Sequence, residues 1–376
     1  MRDGSAVQQT AAATAVASDL VPPPADLVAA FSLSPLYTKH LMVGGFPILG
    51  SRAAADAGLR EAAYLVERLI GHRPDILDAL ARRRVRFVVM ATTERTTDVP
   101  EHADLVPKEY WDRRARGLGA TAARPAVSCG EENLLDLEGD PYAAENILVH
   151  ELSHAIHEMA LADLDPSFDM RLQQAYEAAR VAGRWSRTYA MENHREYWAE
   201  GAQSWFDTNR RNDDVHGPIA SRADLIHYDP PLAALLAEVF GNEPWRYRKP
   251  RDRDAAETRH LAGFNRARAP RFAWASTSPA PSPIADLPTV ALERGPMSRS
   301  PSSTVATHLE VQNHRRSSVI VEWIDFEGRP VLYATVGPGE RHGLSTYVGH
   351  AWRISEGTNV LGFVAAPASA SRVDVR

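Results

Sequence analysis

The stretch from His150 to His157, "HELSHAIH", puts three histidines and a glutamate within about two turns of helix in a chain of 376 residues. Helical residues at i and i+4 share a face, so His150 and His154 can aim imidazole nitrogens at one ion while Glu151 projects beside it. Zinc suits that set, because imidazole is a borderline ligand and an incomplete protein shell leaves a position for water. With 14 histidines in the chain and an ordinary glutamate frequency, H-E-x-x-H arises by chance in roughly 3% of such chains. The motif therefore needs a third ligand to carry weight. An elongated motif would place a histidine at position 160, which is Ala160. His157 lies too far along the axis to share the ion and reads as a structural histidine. The ligand must come from elsewhere, and "ENHREYWAEGAQSWFDT", 192–208, is the expected donor helix, with Glu192, His194, Glu196 and Glu200 as candidates. Glu196 and Glu200 share a face, so one can ligate while the other accepts a hydrogen bond from a ligating histidine and fixes its tautomer. His194 reads as a surface or outer-sphere residue.

Composition narrows the partners. Hydrophobic residues make up 44% and charged residues 24% of the chain, a globular balance long enough for two or more domains. A net charge of -6 gives no basic field to hold a polyanion, so nucleic acid is excluded as the main partner. The single cysteine, Cys129, cannot form an intramolecular disulfide and reads as a small buried residue. No run approaches the roughly 18 apolar residues of a membrane span. Residues 1–25, rich in Ala, Ser and Pro, cannot offset their ordering entropy by burial and read as a disordered leader. An aspartate after the early arginine and a weak apolar stretch argue against a signal peptide, which leaves export open and the compartment unassigned.

Patterning divides the rest. Helices are expected over 52–71 and at "PDILDALARR", followed by a buried strand at "VRFVVMA", 85–91. "ARPAVSCG", 123–130, reads as an edge strand because of its proline. Asp140 and Pro141 match an N-cap and first helical position for a long helix through the histidine motif. Further helices are expected at 167–182, 192–208 and 231–240. Proline and serine crowd out core residues over 273–304, which reads as a linker between a domain at 26–272 and a module at 305–376. That module, with runs such as "SVIVEWIDF" and "PVLYATV" between turn residues, is expected to be all-β.

The segment "YAMENHREYWAE", 189–200, contains E-[FY]-[FW]-A-E with a tyrosine seven positions before the first glutamate. Together with the histidine motif it resembles the zincin domain of the anthrax lethal factor family, over two patches of the chain. The resemblance implies an α+β zincin-like metallopeptidase fold with one zinc ion per chain, Glu196 as third ligand, Glu200 behind it, and Tyr189 donating a hydrogen bond to the oxyanion. The chemistry of the motif gives Glu151 the role of general base, because zinc lowers the pKa of water and polarises a carbonyl, and a carboxylate beside it can pass the proton to the leaving amine.

At the C-terminus, "VEWIDFEGRPVLYATVGPGERHGLSTYVGHAW", 321–352, fits the frame W-x-[DN]-F-x-G-x-P-x-x-Y, then P-G, then [ST]-Y-x-G-H-x-W. This resembles the β domain of the von Hippel-Lindau family, a small β sandwich. The resemblance implies a pocket for trans-4-hydroxyproline within an extended peptide, formed by Trp323, Tyr333, Thr346, His350 and Trp352. Thr346 stands where that family usually has serine, and its extra methyl narrows the space for the ligand. The combined expectation is a zinc metallopeptidase whose β module, on a flexible tether, binds proline- or hydroxyproline-containing protein and raises the local substrate concentration. Two rivals stand beside it: a peptide-binding protein on a zincin scaffold without turnover, and a zinc hydrolase of non-peptide bonds.

Overall fold

A computed structural model describes residues 20–105, 108–213, 215–274, 287–301, 303, 305–326 and 328–376. The expected leader falls mostly outside these residues. Its last part is already in the fold, since His40 bonds the Val21 carbonyl through both its backbone N–H and its ring, and Leu20 packs on the main core.

A short helix α1 (Ala25–Phe31) precedes the hairpin of β1 (Lys39–Val43) and β2 (Phe46–Gly50). Helices α2 (Asp56–Ile70) and α3 (Pro74–Arg82) lead to β3 (Arg86–Met90). After α4 (Lys108–Arg114) come β4 (Gly117–Leu118), β5 (Ala126–Gly130) and the single turn α5 (Glu131–Leu134). The five strands form one sheet in the order β1-β2-β3-β5-β4, in which β2, β3 and β5 run parallel and β4 lies antiparallel at the edge. Alternation explains the nearly continuous apolar strands. Ile48, Phe87, Val89 and Val127 join the main core, while Leu49, Val88, Met90 and Ala126 meet Phe31, Leu33 and Tyr37 on the opposite side.

The main core is closed by a helical half: α6 (Ile147–Ala155), which continues as a π-helical segment (Ile156–Leu161) and one turn of α7 (Ala162–Leu164), then α8 (Phe168–Val181), α9 (His194–Trp205), α10 (Arg222–Tyr228) and α11 (Pro230–Phe240). Helix α9 lies close to α11, because a Cβ on Gly201 would come within 2.7 Å of Leu232.

Three local expectations need correction. The helix with the histidine motif starts at Ile147, because Asn146 accepts the Val149 N–H, whereas Asp140 spends its carboxylate on the Tyr142 N–H and the Asn133 amide in a preceding turn. Strand β5 is internal rather than an edge: Pro125 precedes the ladder and contributes only its carbonyl, to the Arg86 N–H. The linker reading holds for too long a segment. Residues 275–286 lie outside the described residues, but Thr289 bridges Arg372 and Glu293 bridges Phe363, so the chain from Leu287 onward is already laid against the β module.

Among the described residues that module has seven strands: β6 (Ala306–Asn313), β7 (Val319–Ile324), β8 (Pro330–Val336), β9 (Arg341–Tyr347), β10 (Ala351–Glu356), β11 (Asn359–Ala365) and β12 (Ser371–Val375). They form a four-stranded sheet, β11-β10-β7-β8, and a three-stranded sheet, β12-β6-β9, around Leu309, Val311, Val321, Leu344, Trp352 and Val373.

One buried group gives the fold a pH dependence. His102 is 1% exposed under β5, and burial pulls its pKa down to about 4. An unfolded histidine titrates near 6.5, so between about pH 6.5 and 4 the unfolded chain binds more protons and stability falls as pH drops. Carboxylates raised by burial to about 6 to 7 (Glu131, Asp140, Glu192) act with the opposite sign in this window, so the test is the difference: urea midpoints from pH 7 to 4 should fall more for wild type than for His102→Gln.

Candidate metal centre

The site is assembled by α6 and the start of α9. In α6, Leu148, Val149, Leu152 and Ala155 turn into the core, which leaves His150, Glu151 and His154 on the remaining face. In α9, the Asn193 side chain caps the N–H groups of Arg195 and Glu196, placing Glu196 in the first turn. The Trp198 indole donates to the Ser153 carbonyl at 2.9 Å and holds the two helices in register.

Three atoms then converge. His150 Nε2 and His154 Nε2 are 3.2 Å apart, and Glu196 Oε2 lies 3.2 Å from the first and 3.3 Å from the second. Ligands about 2.0 Å from a tetrahedral ion are separated by roughly 3.3 Å, so this triangle has the dimensions of one face of a zinc site. The residues fit the ion the sequence implied.

Electrostatics point the same way. Burial alone would push the His150 imidazole down, but its contact with Glu196 and the fields of Glu151, Glu196 and Glu200 raise it to about 10. Glu196, despite its burial, is held well below the usual carboxylate range by His154 and His150. Carboxylates surplus to the imidazoles draw positive charge into the site, and a divalent cation answers that demand. Glu151 moves the other way: burial raises it, against the pull of His150 and His154. Glu192 is raised to about 7 by burial and by Glu196. Burial also pushes the Tyr189 hydroxyl well above its ordinary range, so it stays protonated, and its ring stacks 6.2 Å from that of His150.

The hydrogen bond that fixes His150 comes from a residue the sequence reading passed over. His150 Nδ1 donates to Gln203 Oε1 at 3.0 Å, which leaves Nε2 on the triangle, while Glu200 Oε1 stands 3.7 Å away. Gln203 is itself fixed by donating to Glu145 Oε2 at 3.2 Å. Glu200 is buried and accepts from Asn209 at 3.0 Å. Gln203→Leu should therefore weaken zinc binding about 10- to 100-fold in a chelator competition, with the fold retained.

Glycines let the edge strand pack closely on α6: a Cβ on Gly117 would collide with Ile147 Cγ2 and lie 3.2 Å from Glu151 Cγ, and one on Gly119 would lie 3.0 Å from His154 Cβ and 3.4 Å from Glu151 Oε2. His194 does not reach the triangle; its Nε2 meets Asp169 Oδ1 at 3.0 Å, the same atom that His157 Nε2 meets at 2.9 Å. Cys129 is buried with its thiol pushed up by burial.

The β module lies beside this cleft. The Tyr333 hydroxyl, raised to about 12 by burial, lies in the field of Glu192 and Glu196. A crevice between the two parts is lined by Leu105, Trp111 and Arg124 on one side and Thr307, Ala368 and Ala370 on the other. Within the module, Trp323 and Trp352 are cross-strand partners. Tyr333 meets Trp352 edge-on at 4.9 Å, and the Trp352 indole donates to Thr346 Oγ1 at 3.2 Å. The rings of Trp323 and His350 lie 5.4 Å apart, flanked by Phe326 and Tyr347, which the sequence reading did not single out. Trp323 Nε1 and His350 Nε2 are buried without a hydrogen-bond partner.

Residues 298–360 match the VHL beta domain family, so the C-terminal module carries that domain, with a start inside the segment read as linker. No curated protein matches the chain. Among the described residues, no helix is long and apolar enough to cross a membrane.

Proposed function

We propose that the chain is a zinc-dependent metallopeptidase, with His150, His154 and Glu196 holding the ion and the VHL beta domain binding the protein substrate. The observation that carries this reading is the triangle of 3.2, 3.2 and 3.3 Å between donors from two separate helices. When bound, zinc supplies Lewis acidity toward a carbonyl and toward water. Glu151, beside the triangle and outside it, takes a proton from the attacking water and returns it to the leaving amine nitrogen. Tyr189 keeps its proton and donates a hydrogen bond to the oxygen that gains charge, a contribution of about 3 kcal/mol for one donor.

A peptide substrate is supported by the edge strand β4. An extended segment can pair with an edge by strand addition, and β4 packs closely on the helix that carries Glu151, so a segment paired with β4 would run beside Glu151. In the β module, an apolar pyrrolidine ring would pack on Trp323, while the unpartnered Trp323 Nε1 and His350 Nε2 offer polar contacts to a ring hydroxyl or backbone carbonyl. The field of Glu192 and Glu196 at Tyr333 supports a peptide held by the module lying near the reacting centre.

Digestion of a peptide library by zinc-loaded protein, with and without chelator, tests the reading, and chelator-sensitive cleavage is the expected result. Zinc-loaded protein that binds peptides tightly without cutting them would favour the non-catalytic alternative. For the module, Trp323→Ala should weaken binding of a hydroxyproline peptide by about 30-fold, the effect of losing an aromatic anchor worth about 2 kcal/mol. Calorimetry with proline and 4-hydroxyproline versions of one peptide reads the contribution of the hydroxyl.

A further inference from the structure

We propose that His157, Asp169 and His194 form a second divalent-metal site, separate from the triangle and structural in role. His157 Nε2 and His194 Nε2 approach the same carboxylate oxygen, Asp169 Oδ1, at 2.9 and 3.0 Å, and the three donor atoms all lie within 4.8 Å of one another. Two imidazoles and one carboxylate are a donor set for zinc or a neighbouring first-row divalent ion. The other carboxylate oxygen is not idle: Asp169 Oδ2 accepts from the Gln173 amide at 2.6 Å, an outer hydrogen bond of the kind that orients a ligating carboxylate. Asp169 has 52% of its side chain exposed, so water can complete the shell from the solvent side.

The donors come from three elements. His157 sits in the π-helical segment that follows α6, a form that is uncommon and concentrated at functional positions. Asp169 lies in the first turn of α8, and His194 is the first residue of α9, two positions before Glu196. An ion here ties the start of the helix that supplies Glu196 to the helix that supplies the two histidines. The site does not depend on catalysis.

The test is metal analysis of full-length protein, stripped with chelator, reloaded with Zn2+ and dialysed. Wild type should hold two ions per chain, Asp169→Ala one, and Glu196→Ala one. Zn2+ should also raise the melting temperature of Glu196→Ala but not of Glu196→Ala combined with Asp169→Ala. Because Asp169 is half exposed, its alanine variant should keep the wild-type circular dichroism, and His194→Ala provides an independent version of the same loss. One ion in wild type that disappears in Glu196→Ala overturns the proposal, as do two ions that persist in both Asp169→Ala and His194→Ala. One ion that survives Glu196→Ala but is lost in Asp169→Ala would retain this site and end the peptidase reading.

Discussion

Glu151→Gln is expected to slow cleavage of a susceptible peptide by about 100- to 10,000-fold, the usual contribution of a positioned general base, with no change in bound zinc. The two halves of this result test different things. Glutamine keeps the size of the side chain but cannot accept a proton, so the loss of rate isolates proton transfer. Retained zinc follows from geometry, because Glu151 is not one of the three converging donors. Burial raises the Glu151 carboxyl, while His150 and His154 pull it down. Measured kcat and metal content on the same preparation check the prediction. A Glu151→Gln protein as active as wild type would remove the mechanism.

Glu196→Gln is expected to do more damage, and to a different property. Glu196 is the anionic corner of the triangle, held ionised by His154 and His150. Its amide counterpart brings no charge and binds a hard or borderline cation weakly. Removing an outer hydrogen-bond partner costs about 10- to 100-fold in affinity, so losing a direct ligand should exceed that range and leave this site empty after dialysis. Hydrolysis should fall to background, and added zinc should restore it only in part. Activity equal to wild type at wild-type zinc levels would mean that another group completes the shell.

Legibility in the sequence followed period. His150, Glu151 and His154 sit at helical spacing; the donor helix 192–208 offered Glu192, His194, Glu196 and Glu200, and only the resemblance to the lethal factor zincin domain pointed to Glu196 among them. The same period carries on to Gln203, seven positions after Glu196, a signal that was present but is less conspicuous because glutamine is not a ligand type. Asp169 had no comparable signal: its meeting with His157 and His194 depends on how α8 folds back across the π-helical turn, and no pattern announces a π turn. The true cap, Asn146 before the apolar run Ile147–Val149, was readable, but the Asp140–Pro141 pair drew attention away from it. Composition misled at the linker, because edge pairing through backbone groups needs no apolar side chains, and a proline- and serine-rich chain can lie along a sheet. In the β module, β7 and β8 were legible as the runs SVIVEWIDF and PVLYATV, whereas β9, β11 and β12 were not marked by comparable runs, and the module's position near Glu192 and Glu196 had no sequence signal.

The most direct measurement of the central claim is an anomalous-difference map at the zinc edge from crystals of the zinc-loaded protein. The account predicts a peak within bonding distance, about 2.0–2.2 Å, of His150 Nε2, His154 Nε2 and a Glu196 carboxylate oxygen. No peak between those three groups at saturating zinc, or a peak there with Glu196 turned away from it, would contradict the account.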